Sequence, residues 1–357
     1  MEPATGWRAS HRNDREFGLL ATESDGTAAA KAAGLRYVND DDPGIGRQSV
    51  NDGFAYTGAD GRKLRDAATL KRIAALAIPP AYSEVWICAD PRGHIQATGR
   101  DAKGRKQYRY HADWRIHRDN AKFSDMAAFG RVLPKIRAAV DRDLARRDLS
   151  RERVLATIVR LLELTLIRVG NDEYARTNKS FGLTTLRNRH LKADGAGLLF
   201  DFKGKSGVRH RTRVTDRRAQ TVIRKLRDLP GQRLFQYEGD DGTPHQIGSA
   251  DVNDYLRLIS GADITAKDFR TWAATLAAAQ TLAIADPPLS DAEAKREMAA
   301  CVKATAGLLG NTPAVCRAAY IHPEVFTGWR AGALRGRFHG EVGGDEKALI
   351  RFLDSIA

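Results

Sequence analysis

The spacing of apolar residues changes character along this chain. From about residue 122 onward it is helical. In FGRVLPKIRAAVDRDLARRD, the residues Val132, Leu133, Ile136, Val140 and Leu144 fall on one stripe. The next run, RERVLATIVRLLELTLIR, is more apolar and predicts a core helix. LLFDF (Leu198–Phe202) and VRHRTRV (Val208–Val214) flank GKSG, which predicts a hairpin inside a helical domain. Later helix starts are marked by Thr265 with Asp268 and by Ser290 with Glu293, both of the capping-box pattern. Thr312-Pro313 is an N-cap followed by proline at the first helical position, which sets Tyr320 near the end of a short helix. DEKALIRFLDSI predicts an amphipathic closing helix.

The earlier part of the chain reads differently. YSEVWIC (Tyr82–Cys88) is rich in β-branched and aromatic residues, and the turn residues Asp90-Pro91-Arg92-Gly93 separate it from HIQATG (His94–Gly99). RKQYRYH (Arg105–His111) follows the turn-prone DAKG as a further extended stretch. The pattern predicts an α+β protein. A small β-rich N-terminal domain spans 34–118, and a larger, mainly α domain with a small sheet spans 122–357. Residues 1–33 are small, polar and Ala/Gly-rich, and predict a poorly ordered arm.

Charge adds a partner to this picture. The 357 residues carry a formal net charge of +14, which attracts polyanions, nucleic acid first among them. The excess is concentrated: thirteen Lys/Arg face three Asp between Leu186 and Arg227. VRHRTRV alternates apolar and basic residues, which suits either phosphate contact or an edge strand charged against aggregation. Cys88, Cys301 and Cys316 are widely spaced, with no CxxC pair, so neither a disulfide framework nor a zinc site is expected. A reducing cytosolic setting fits. No long apolar run opens the chain, so a signal peptide or membrane span is not expected there.

Several chemistries are absent by motif. There is no Walker GxxxxGK[ST] element, HExxH, EF-hand loop or G-x-S-x-G elbow. DDDP (Asp40–Pro43) could bind a cation but reads better as a solvated loop before GIGR. Basic residues and tyrosines remain. Metal-free attack on a phosphodiester needs an in-line nucleophile, cationic donors for the non-bridging oxygens and a proton donor for the leaving oxygen. Arginine suits the second role, because its planar fork binds two oxygens at once. Tyrosine, with a free pKa of about 10, needs nearby cations to favour its ionised form.

Four segments make a resemblance specific. LIRVGNDEYA (Leu166–Ala175), FKGKSGVRH (Phe202–His210), AKDFRTW (Ala266–Trp272) and GNTPAVCRAAYIHP (Gly310–Pro323) occur in that order. With RYVNDDDPGIGR (Arg36–Arg47), LKRIAALAIPPAY (Leu70–Tyr82) and GRKQYRYH (Gly104–His111), the chain resembles type IB DNA topoisomerases of the bacterial and poxvirus kind over roughly residues 34–350. The resemblance implies that Tyr320 is the nucleophile, forming a 3′-phosphotyrosyl link. It implies that Arg168 and Arg270 hold the scissile phosphate and that Lys205 protonates the leaving 5′ oxygen. Lys267, three residues before Arg270, would support the phosphate or the proton transfer from the same helix face.

One position departs from the family. Relatives have a histidine nine residues before the tyrosine, where this chain has Asn311. Asparagine donates a neutral hydrogen bond but cannot become cationic, so activity is expected to persist with a smaller margin. The family's groove-entering strand is matched by Gln107, Tyr108 and Tyr110, and a DNA-facing position by Tyr174. Arg209 and Arg211 are further candidate DNA contacts on the basic strand. The resemblance further implies a two-domain clamp around duplex DNA and strand rotation about a covalently held nick. It also implies a monomer acting in the nucleoid without a cofactor, ATP or an obligatory metal. Two other readings stay open. A tyrosine recombinase shares the catalytic layout but usually has His-x-x-Arg where this chain has Lys267 to Arg270. An idle DNA-binding protein would not need Tyr320, both arginines and Lys205 together.

Overall fold

The structure, a computed structural model, describes residues 23–356 except 52, 103, 116–122, 124, 196, 240 and 342. It divides into two compact units, Met1–Lys122 and Phe123–Ala357. The protein is α+β, with β structure dominating the first unit and helices the second.

In the first unit, five strands form one antiparallel sheet: β1 (Ile45–Val50), β2 (Gly53–Thr57), β3 (Ser83–Ile87), β4 (Ile95–Arg100) and β5 (Lys106–Tyr110), in the order β2-β1-β3-β4-β5. The expected hairpin around Asp90–Gly93 is β3 paired with β4, and β5 pairs with β4 in turn. Helix α2 (Ala67–Ala75) starts at Asp66, whose carboxylate accepts the Thr69 N–H at 2.7 Å. Its Ile73 packs with Ile45, Val85, Ile87 and Ala97 in the unit's core.

Two expectations change here. The arm expected over 1–33 does not extend so far: residues 1–22 lie outside the described residues, but Glu23–Ala32 forms helix α1. Alanine is the strongest helix former, and Ala30 packs with Leu35 and Trp114 in a small second cluster. The acidic DDDP run is not simply a solvated loop either. Asp40 accepts the Thr98 hydroxyl at 2.9 Å and pairs with Lys106 at 2.8 Å, which ties this loop to β4 and β5.

The second unit is built around helix α4 (Arg151–Thr165), which follows α3 (Met126–Leu144). Val154, Leu155, Ile158, Leu161 and Leu162 of α4 are essentially inaccessible. Burying each such side chain contributes roughly 1.5–3 kcal/mol. Packed against α4 are α6 (Arg217–Arg227), α7 (Ser249–Ser260) and α8 (Ala266–Ile284); α5 (Asp172–Asn178) follows it in the chain, and α9 (Asp291–Leu309) packs against α8. Three further helices follow: α10 (Pro313–Ala319), α11 (Pro323–Arg330) and α12 (Gly344–Asp354). β6 (Leu191–Asp194), β7 (Gly197–Lys203) and β8 (Arg209–Val214) form an antiparallel sheet, with GKSG as the β7–β8 turn. A two-stranded ribbon, β9 (Gln236–Glu238) with β10 (Pro244–Gln246), completes the unit. All three cysteines are buried and unpaired. No described helix is long and apolar enough to cross a membrane.

Candidate active site

The buried core delivers the first functional side chain. Helix α4 ends at Leu166, which adopts the left-handed conformation (φ 53°, ψ 19°) that closes many helices. The chain then turns and presents Arg168 two residues on. The segment carrying Arg168 is locked by backbone contact: Leu183 N–H donates to Arg168 O at 2.9 Å. A Cβ on Gly182 would meet that same oxygen at 2.5 Å and Gly170 Cα at 2.6 Å, so only glycine fits.

Arg270, on the second turn of α8, is only 3% exposed. Two helix ends hold it. One Nη donates to the Leu166 carbonyl and the other to Leu309 O, at 2.9 Å, at the last residue of α9. Helix C-termini carry partial negative charge and free carbonyls, which is what a buried cation requires. Burial, and then repulsion from Arg168, lower the Arg270 pKa to about 10. The group therefore remains charged at neutral pH.

Asn311 links this pair to the helix that ends at Tyr320. Gly310 caps α9 in the left-handed conformation, and Asn311 N–H returns to Ala306 O at 2.9 Å. Its side-chain oxygen accepts a hydrogen bond from Arg168 Nη. Thr312 then caps α10, with Pro313 at the helix start, as the sequence pattern predicts. Seven residues later the helix ends at Tyr320. The Arg270 guanidinium lies 5.3 Å from the centre of the Tyr320 ring. Burial alone would raise the phenol's pKa. Arg270, then Arg168 and Lys267, more than offset it, and the net shift is downward. The buried Nε of Arg270 and Nδ2 of Asn311 have no hydrogen-bond partner among the described residues.

The remaining site residues divide. Lys267 is exposed on the first turn of α8, close enough to act on Tyr320 electrostatically. Lys205 is not brought into this cluster. It is exposed in the β7–β8 turn, with Nζ 5.9 Å from the centre of the Tyr174 ring. Arg209 is already engaged by Asp201, through two hydrogen bonds of 2.8 Å, with Lys192 on the same carboxylate. Arg211 is exposed and forms no ion pair among the described residues. In the first unit, Tyr108 and Tyr110 share a face of β5 with their rings stacked 5.8 Å apart. Gln107 donates to Asp101 at 3.2 Å.

Sequence reasoning missed two residues. Thr275, fully buried one turn beyond Arg270, donates its hydroxyl to Tyr320 O at 3.1 Å and accepts His322 N–H at 3.0 Å. It fixes the backbone on both sides of Ile321. Its only sequence signal is a hydroxyl one turn after that of Thr271 on a buried helix face. The other is His210, which packs beside the Lys205 turn and feels the charges of Arg168 and Arg270. His322 is not a stand-in for the family histidine: its ring caps α11 by accepting Glu324 N–H at 3.2 Å.

Two guanidiniums, an amide and an acidified phenol in one half-buried cluster make a centre able to bind a phosphodiester and attack it. Among known families, one described as the catalytic core of eukaryotic DNA topoisomerase I matches residues 110–328. Another, described as the N-terminal domain of bacterial DNA topoisomerase IB, matches residues 53–101. The DNA topoisomerase 1B of Acanthamoeba polyphaga mimivirus is 34% identical over 285 residues, covering 78% of this chain and 85% of the relative. That of vaccinia virus (strain Copenhagen) is 25% identical over 248 residues, covering 67% and 73%. The chain belongs to the type IB DNA topoisomerases, and is an enzyme of the type I class.

Proposed function

We propose that this protein relaxes supercoiled duplex DNA by breaking and resealing one strand through Tyr320. The observation that carries the reading is an acidified Tyr320, in contact with the Arg270 guanidinium, beside two buried donors, Arg270 Nε and Asn311 Nδ2, that have no hydrogen-bond partner among the described residues. Buried donors left unsatisfied are costly, and phosphate oxygens would satisfy them. In the proposed cleavage step Tyr320, ionised by release of its proton to water, attacks phosphorus as the phenolate and the P–O5′ bond breaks. Lys205 gives its proton to the departing 5′ oxygen and is left neutral. Arg168 and Arg270 neutralise the charge that accumulates on the non-bridging oxygens. Asn311 donates without adding charge, and Lys267 supports the same phosphate.

The broken strand keeps a 3′-phosphotyrosyl ester while its free 5′ end rotates. Attack by the 5′ hydroxyl reverses the step, with the neutral Lys205 taking the proton back. The ester conserves the bond energy, so neither ATP nor a metal is part of the scheme. Tyr174, Arg211 and the half-buried β5 residues Gln107, Tyr108 and Tyr110 contribute DNA contacts. Arg209 can do so only by sharing its Asp201 partner. The two units, over 34–118 and 122–357, both take part in holding the duplex, and one copy of the chain suffices.

The test is relaxation of negatively and positively supercoiled plasmid in EDTA without ATP, with wild type beside Tyr320→Phe. Relaxation of both signs by wild type alone is expected. Tight DNA binding without relaxation by wild type would leave a recombinase or an architectural binder.

A further inference from the structure

Phe202 and His210 are cross-strand partners on β7 and β8, and their rings stack 5.1 Å apart at an interplanar angle of 13°. The edge of the imidazole runs beneath the turn that carries Lys205. A Cβ on Gly204 would meet His210 Cδ2 at 2.6 Å and Nε2 at 2.7 Å. Gly204 has φ −93° and ψ −166°, a conformation open to any residue. The ring, not the backbone, is therefore what excludes a side chain next to Lys205. Toward the other side, a Cβ on Gly310 would meet His210 Cε1 at 3.0 Å. One imidazole thus touches the residue before Lys205 and the residue before Asn311. Burial first, and then Arg168 and Arg270, lower its pKa and keep it neutral. A neutral spacer adds no repulsion to a pocket already holding two guanidiniums.

We infer that His210 is a positioning residue for Lys205: its ring seats the Lys205 turn against the Gly310–Asn311 turn and so sets the reach of the lysine toward the leaving oxygen. The inference rests on the proposed role of Lys205 as proton donor. It makes a chemical prediction, because a leaving group that needs no proton should not need His210. A 5′ bridging sulfur is such a group, since a thiol ionises near pH 8.5 and departs as the thiolate without a proton donor.

The experiment is single-turnover cleavage of two DNA substrates, one with the ordinary 5′ oxygen and one with sulfur at the scissile position. Wild type, Lys205→Ala, His210→Ala and His210→Phe are compared on both. On oxygen DNA, His210→Ala is expected to cleave about tenfold or more slowly, as a misplaced catalytic group does. On sulfur DNA it should match wild type, which also shows that it is folded. His210→Phe keeps the ring's shape and should restore most of the rate on oxygen DNA. Slow cleavage by His210→Ala on both substrates would overturn the inference. So would a His210→Phe variant as slow as His210→Ala on oxygen DNA yet rescued by sulfur, because the imidazole itself would then pass the proton. If Lys205→Ala is not rescued by sulfur, the proton-donor role itself fails, and that result is distinct from the other two.

Discussion

The two sides of the site are built in opposite ways. On the phosphate side, Arg270 is buried and fixed by the carbonyl ends of two helices, and Arg168 sits on a turn where backbone meets backbone. On the leaving-group side, Lys205 is exposed on a turn with left-handed Ser206 (φ 60°) and Gly207 (φ 80°), without an ion-pair partner among the described residues. Groups that stabilise charge are most effective when they need no rearrangement as the charge develops. A buried guanidinium must in any case be held, because an unsatisfied buried cation is costly. A lysine that only hands over a proton can remain hydrated until DNA arrives. On the proposed mechanism, the fold therefore couples stability to catalysis at Arg270 and separates them at Lys205.

The sharpest way to break this contrast is to remove each cation in turn. Arg270→Ala should lower cleavage by at least about 10²-fold. It should also lower the melting temperature, because the buried Leu166 and Leu309 carbonyls lose their donors at roughly 1–3 kcal/mol each. Lys205→Ala should slow cleavage of ordinary DNA comparably and leave the melting temperature unchanged. Equal thermal shifts in the two variants would refute the contrast.

Thr275→Val comes next. It keeps the shape but removes the bridge to Tyr320 O and His322 N–H, and should slow cleavage about tenfold by loosening the nucleophile. DNA affinity, measured by gel shift, should not move. A Thr275→Ser variant should restore the rate, which a purely packing role would not require.

The pH dependence of cleavage probes the same pocket. On the proposed mechanism Tyr320 attacks as the phenolate; Arg270, Arg168 and Lys267 hold its pKa below that of a free phenol, and the rate should fall as pH drops through the lowered pKa. Lys267→Ala removes the outermost of the cations acting on it, so the midpoint should move upward. A midpoint unchanged by that variant would exclude Lys267 from the electrostatics of the nucleophile. The smallest effect belongs to Asn311→His. A histidine there can become cationic, and a rise in cleavage of a few-fold toward lower pH is expected in single-turnover assays.

Much of this was readable from the residues in order. The hairpin around GKSG, the caps at Thr265, Ser290 and Thr312, and the placing of Tyr320 at a helix end all follow from local chemistry, and all stand in the structure. Other elements were not readable. β1 (IGRQSV) is largely polar, with its second half exposed, and shows no alternation; it exists because it pairs with β2 and, through Ile45 and Gly46, with β3. Helix α1 has few apolar residues and is held by contacts to Leu35 and Trp114. Within the site, the nucleophile and both arginines lie in segments with a recognisable order. Thr275 and His210 act through contacts to residues 45 positions away at Tyr320 and 100 away at Gly310, which no local pattern encodes. On β8 the basic residues Arg209, Arg211 and Arg213 are exposed, whereas the alternate position of His210 is half-buried.

The central claim is that Tyr320 becomes bonded to the 3′-phosphate end created at the break. The most direct measurement is to trap the complex with denaturant on duplex DNA labelled at the 5′ end of the cleaved strand, then digest it and find the linked peptide by mass spectrometry. The account predicts that the label stays with the protein, that the peptide contains Tyr320, and that the released fragment has a free 5′ hydroxyl. A label on the released fragment, or an adduct on any other residue, would contradict it.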